Sequence, residues 1–266
     1  MRFKFFVFLV IVMIACKKKS VFPGEIIGHA GMGLKNSTSN FSENSSEAFY
    51  YALSFNPCSG VEMDVQLSAS GSLWAFHDET LQERTNGESC VGLSTDAQLS
   101  KLHYRKTKQK LLKLKDFDFS AYPNKIFFLD IRHFNACTNE EVIIADLLEA
   151  LQEIMDDHPE TQFVLKTSYL NWINPFLNYG KPVFFVENGS NHVEHVLSNY
   201  PEVEGFDIKY SKEVKDVVKL LKNENKLVCL YEIRAPKTIR AAGKLGADYL
   251  EVDDLVSAIN ILSDGK

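Results

Sequence analysis

Val61-Glu62-Met63-Asp64-Val65-Gln66-Leu67 alternates apolar with acidic or amide side chains, the two-residue period of a strand whose faces meet different surroundings. Val61, Met63, Val65 and Leu67 face one way; Glu62, Asp64 and Gln66 face the other. Seven more β-branched or aromatic runs lie around it: Glu25 to Gly28, Lys125 to Arg132, Gln162 to Lys166, Pro182 to Val186, Gly205 to Lys209, Lys226 to Tyr231 and Asp248 to Val252. Amphipathic stretches separate many of them. Glu140 to Met155 sets Ile143, Ile144, Leu147, Leu148, Leu151 and Ile154 in one helical stripe, and Asn44 with Glu47 reads as a capping box opening the first helix. Strands joined through single helices pair in parallel with right-handed crossovers. Eight such units predict an α/β fold, the (β/α)8 TIM barrel, with its active site at the C-terminal ends of the strands. Residues 79–124, rich in Lys, Ser, Thr and Gln and without a convincing strand, predict an insertion between the second and third barrel strands. It would carry one or two short helices, as a substrate rim or as a packing elaboration.

At 266 residues and 45% hydrophobic content the chain can bury one large core, so residues 25–266 are expected to form one domain. The first 24 residues hold five of the 29 basic side chains and no acid, leaving 24 basic against 35 acidic and a formal charge of −11. That excess argues against a nucleic-acid binder. A phosphate-bearing ligand would need a local basic group or a metal.

Phe5 to Ala15 is an uninterrupted apolar run behind Arg2 and Lys4, the pattern of an export signal over residues 1–15. It is shorter than the roughly 20 residues that span a bilayer. Ala15-Cys16 resembles a bacterial lipobox. Cys16 is then the expected lipid anchor, residues 16–24 a tether, and the protein an exported, membrane-anchored lipoprotein facing the periplasm or cell exterior. Export would permit disulfides among Cys58, Cys90, Cys137 and Cys229. Their spacing suggests no zinc site; a Cys58–Cys90 bridge is conceivable, with connectivity open, and Cys229, inside an apolar run, reads as a buried small hydrophobe.

Three motifs carry chemistry. His29 ends the first strand, Glu62 and Asp64 share a face of the second, and His77-Asp78 follows the short apolar run Leu73 to Phe76. Two carboxylates about 6.5 Å apart along a strand can reach one hard cation, and two imidazoles can exchange protons near neutral pH. The third barrel strand adds Asp130, able to complete a three-carboxylate site, and Arg132, which would meet a phosphoryl oxygen or neutralise Asp130. Lys166 and Lys209 end strands and are candidates for the barrel mouth.

On these residues the chain resembles the glycerophosphodiester phosphodiesterases. The carriers are Gly28-His29, Ser42-Glu43-Asn44, Glu62-Met63-Asp64, His77-Asp78 and Asp130-Ile131-Arg132, with the stretch Leu73 to Gly87 and, near the C-terminus, Gly246-Ala247-Asp248-Tyr249. The resemblance implies a TIM barrel, His29 and His77 as acid–base pair, and Glu62, Asp64 and Asp130 as ligands of Ca2+ or Mg2+. It also implies a small-molecule phosphodiester substrate, cleaved to glycerol 3-phosphate and an alcohol. Three departures stand out: Ala30 replaces an arginine after the first histidine, the third carboxylate is aspartate rather than glutamate, and Tyr231-Glu232-Ile233 replaces a Trp-Thr-x-Asn run. Ala30 and Asp130 motivate a competing reading, a catalytically silent lipoprotein that binds a phosphodiester. The glycine-rich turn Gly28 to Gly33 motivates another, a dinucleotide-binding fold, but its glycines are out of register and the next helix starts too late.

Overall fold

The computed structural model describes residues 22–34, 39–135, 137–138, 140–211 and 213–262. All eight expected strands form: β1 Glu25–Gly28, β2 Cys58–Leu67, β3 Ile126–Ile131, β4 Gln162–Thr167, β5 Val183–Glu187, β6 Gly205–Lys209, β7 Leu227–Ile233 and β8 Tyr249–Val252. Each pairs in parallel with the next, and β1 pairs with both β2 and β8, so the barrel closes. Closure leaves the eight-stranded barrel itself without an open edge. The expected export signal and Cys16 lie outside the described residues. Among the described residues no helix is long and apolar enough to cross a membrane.

Helices α1 Ser46–Leu53, α2 Ile144–Asp157, α3 Ile173–Asn178, α4 Val193–Asn199, α5 Val214–Asn223, α6 Pro236–Ala242 and α7 Leu255–Leu262 wrap the strands. Two helix starts differ from expectation. The N-cap of α1 is Ser45, whose hydroxyl accepts from the Ala48 N–H, while Asn44 takes a left-handed φ of 58° and turns its side chain elsewhere. Helix α2 begins at Ile144, because Glu140–Glu141 pairs with Phe134–Asn135 as a hairpin. Ile143, placed by periodicity on the buried stripe, is 64% exposed.

The second unit is where the insertion sits, and its form is more turn than helix. Leu73–Ala75 runs antiparallel beside β2, Leu112–Lys113 pairs with it in turn, and four 3-10 turns and one short helix, Asp96–Leu99, lie in this region. It packs its own small core from Trp74, Phe76, Leu81, Val91, Leu99, Tyr104 and Leu111. Asp96 binds this segment together by accepting from Ser68, Ser72, Trp74 and Lys113. The disulfide joins Cys90 of this insertion to Cys137 after β3, with Cα atoms 5.9 Å apart. Cys58 is not its partner: it is buried at the start of β2, its thiol against the Gly60 carbonyl.

Inside the barrel the side chains stack in layers. Ile27, Phe128, Val164, Phe184 and Cys229 make an apolar floor. Above it lies an ionic layer, in which the Lys166 ammonium sits 2.5 Å from Asp207 and 2.9 Å from Glu251, all three buried. Such charges are tolerated away from water only when paired. The ionic layer is the base of the site.

Candidate active site

Asp64, Asp130 and Lys166 occupy the same level of three adjacent strands, Asp64 opposite Asp130 and Asp130 opposite Lys166. Glu62 lies one pleat deeper on the inner face of β2, and both Glu62 and Asp64 are only 1% exposed. The polar face of that strand is therefore interior. Glu62, Asp64 and Asp130 each bring an oxygen within 4.8 Å of the others. Three hard oxygen donors so placed fit a divalent cation such as Ca2+ or Mg2+. Crowding shows in their ionisation: burial, Asp64 and Glu251 push the Glu62 carboxyl well up. Burial also works against charge on Asp64, but His77, Arg132 and His29 hold it below the usual carboxylate range.

A second set, Asp207, Cys229 and Glu251, is equally compact. It already holds a cation, because the Lys166 ammonium bridges its two carboxylates. Burial first, then Asp207 and Glu251, push the Cys229 thiol up, which disfavours the thiolate a metal would need.

The two expected histidines meet on one cleft of about 270 Å3 at the barrel mouth, lined also by Asp64, Asp130, Arg132 and Lys166. His29 is carried just past β1, its backbone N–H donating to the Val252 carbonyl of β8. Its Nδ1 lies 2.8 Å from Asp253 Oδ1, and its Nε2 lies 3.3 Å from Glu251 and 3.9 Å from Glu62. Burial opposes a charge on this ring, but Glu251, Asp253 and Glu62 outweigh it and hold His29 up at about 10. Ala30 donates its N–H to Glu62 Oε2 at 2.8 Å, fixing that carboxylate in place.

His77 is built on the same plan. Its Nδ1 lies 2.8 Å from Asp78 Oδ1, while Arg84 Nε donates to Asp78 Oδ2 at 2.7 Å. Against the effect of burial, these bonds bring the Asp78 carboxyl down to about 2. Gln66 anchors the segment by donating to the carbonyls of Phe76 and Asp78. A carboxylate on Nδ1 selects the tautomer and ring orientation of each imidazole.

Arg132 lines the cleft, with Nη2 2.5 Å from Asp64 Oδ1 and 3.7 Å from Asp130 Oδ2. Its nearer ion-pair partner is Asp64, across the strands, rather than Asp130, its neighbour in sequence. Lys166 belongs to the buried ionic layer, and Lys209 pairs with Glu232 at 2.9 Å.

Three participants were not assigned this place from the sequence. Asn44 donates to Asp64 Oδ2 at 2.7 Å and accepts from the Asp64 N–H at 3.0 Å, so the residue read as a helix cap braces a carboxylate of the cluster. Glu251 and Asp253 come from the last strand and its edge. Their signal was available, since Leu250-Glu251-Val252-Asp253 alternates in the manner of β2.

Comparison with known proteins agrees with this architecture. The sequence model of the glycerophosphoryl diester phosphodiesterase family matches residues 33–227. A glycerophosphodiester phosphodiesterase of Caldanaerobacter subterraneus subsp. tengcongensis is 38% identical over 77 residues, a stretch that spans 29% of each chain. Similar solved structures include a phosphodiesterase of Oleispira antarctica in complex with the product sn-glycerol-3-phosphate, with TM-score 0.77 and 17% identity, covering 90% of this chain and 96% of that one. A glycerophosphodiester phosphodiesterase of Thermotoga maritima has TM-score 0.71 and 17% identity, covering 90% and 98% of the two chains. These structures share the fold with this chain, and the family model covers most of its length: the chain belongs to the glycerophosphoryl diester phosphodiesterase family.

Proposed function

We propose that this protein hydrolyses glycerophosphodiesters to glycerol 3-phosphate and an alcohol, with a divalent cation, Ca2+ or Mg2+, and two-histidine acid–base catalysis. The observation that carries the reading is the pairing of His29 and His77, each oriented by its own carboxylate, around the cluster Glu62, Asp64 and Asp130. Family membership and the product held by the Oleispira antarctica relative support the substrate class.

Glu62, Asp64 and Asp130 would hold the cation, which supplies polarisation of the phosphoryl group and offsets its charge. His29, kept charged by Glu251, Asp253 and Glu62, suits the proton donor to the departing alcohol oxygen. His77 then takes the proton of the attacking water or neighbouring hydroxyl, with Asp78 stabilising the imidazolium that forms. Arg132, paired with Asp64, would meet a phosphoryl oxygen of the bound diester.

Release of glycerol 3-phosphate from a panel of glycerophosphodiesters, with Mg2+ or Ca2+ and with chelator, tests the reading. Cation-dependent release that disappears in His77→Ala is the expected result. A folded wild-type protein that binds these diesters and cleaves none would favour the silent binding protein instead.

We also infer export and lipid attachment at Cys16. The apolar run ending in Ala15-Cys16 supports this, as does the Cys90–Cys137 disulfide, since such bonds persist in oxidising compartments. Incorporation of an alkyne fatty acid, absent in Cys16→Ala, is the corresponding test.

A further inference from the structure

We propose that Arg234 is a phosphate-binding residue, gripping the anionic oxygens of the phosphodiester from the rim of the cleft. The proposal rests on the diesterase reading and adds to it a substrate contact. His29, His77, Glu232, Arg234 and Asp253 share the wall of the outer part of the cleft. Two of these five are carboxylates, Glu232 and Asp253, and the residue after His29, the buried Ala30, offers an entering anionic diester no charge.

Among the described residues lining the inner and outer parts, three are lysine or arginine: Arg132, Lys166 and Arg234. Lys166 is 2% exposed and held between Asp207 and Glu251. Arg132 lies on Asp64 with Asp130 nearby, so its charge is already balanced. The Arg234 side chain is 59% exposed, and its contacts, Asp253 Oδ2 at 3.3 Å and the Leu34 carbonyl at 3.0 Å, both fall on Nη2. A guanidinium carries five N–H donors in a planar fork, and a fork held at one nitrogen can still offer paired donors to two phosphate oxygens.

The backbone supports this placement. Between Leu230 and Ile233 the ladder of β7 with β8 slips register, and Glu232 takes a left-handed φ of 58°. Such bulges re-aim the chain beside active sites, and Arg234 follows directly. Asp253 then sets the spacing, since Oδ1 takes His29 Nδ1 and Oδ2 takes Arg234. One carboxylate thus locates both the imidazole and the guanidinium.

The test is titration of purified full-length protein with sn-glycerol 3-phosphate in the presence of Mg2+, for wild type, Arg234→Met and Arg234→Lys, with folding checked by circular dichroism. Loss of a charge-assisted bidentate contact predicts a dissociation constant weakened roughly tenfold or more in the methionine variant, partly recovered by lysine. KM for a glycerophosphodiester should rise by a similar factor. A change under about twofold in either variant, absence of binding by the wild type, or a fall in kcat at unchanged affinity would each overturn the proposal; the last would mean that Arg234 only steadies Asp253. Arg234-dependent binding without turnover of any diester leaves this contact standing and removes the diesterase reading instead.

Discussion

Lys166→Met tests the ionic layer beneath the site. Lys166 is 2% exposed, and Asp207 and Glu251 are each 1% exposed, so methionine fills the volume but removes the cation that bridges the two buried carboxylates, leaving Glu251 with His29 Nε2 at 3.3 Å. Deleting one member of a buried ion pair destabilises by about 3–5 kcal/mol. The pH dependence has a definite sign. Burial raises the Glu251 carboxyl, Lys166 opposes it and Asp207 adds to it, giving about 7 against roughly 4.3 in an unfolded chain. Because the folded state binds this proton more tightly, Glu251 takes stability away as pH rises from about 4.3 to 7. Without Lys166 that window extends further upward, so the deficit of the variant grows with pH, by about 1.4 kcal/mol per unit of added shift. Urea unfolding should therefore show a loss of about 3–5 kcal/mol at pH 8, smaller by at least about 1.4 kcal/mol at pH 5. An equal deficit at both values, or one below about 1 kcal/mol at pH 8, would refute the assignment of Lys166 as the internal counter-ion.

Asn44→Ala removes the bond to Asp64 Oδ2 and strands the Asp64 N–H; a loss of about 2–3 kcal/mol in denaturant unfolding is expected, with weaker Mg2+ binding by calorimetry. Replacing Cys90 and Cys137 together by serine opens a loop 47 positions long, for which chain entropy gives about 4 kcal/mol; a melting temperature unmoved from wild type would contradict this. Gly33→Ala puts a side chain at φ +109° against the Asp253 carbonyl, so both stability, by more than about 2 kcal/mol, and diester hydrolysis should fall. Hydrolysis at the wild-type rate would show that the turn after His29 is more tolerant than its geometry implies.

The barrel was legible because each strand announces itself locally, by alternation in β2 and by short β-branched or aromatic runs elsewhere. What escaped depends on contacts between distant residues. Asn44 and Ser45 are both good helix caps, and what separates them is Asp64, twenty positions away, which claims the asparagine. The stripe through Ile143 continues past the true start of α2 because periodicity says nothing of the hairpin that holds Glu140–Glu141. Cys90 could not be matched with Cys137 from spacing, since their proximity follows from how the insertion folds back over the loop after β3. The same distinction runs through the candidate site. His77 has its carboxylate next door in the sequence, whereas His29 finds Asp253 on the far side of the chain.

That last separation bears on how the protein is made. His29 and Asp253 are 224 positions apart, and the strand just before one pairs with the strand just before the other to close the barrel. Synthesis delivers His29 long before the carboxylate that orients it. A chain made only as far as β7 carries both histidines and the carboxylates of β2 and β3, yet lacks Glu251 and Asp253. The carboxylate that orients the His29 ring is therefore in place only once β8 has closed the barrel against β1.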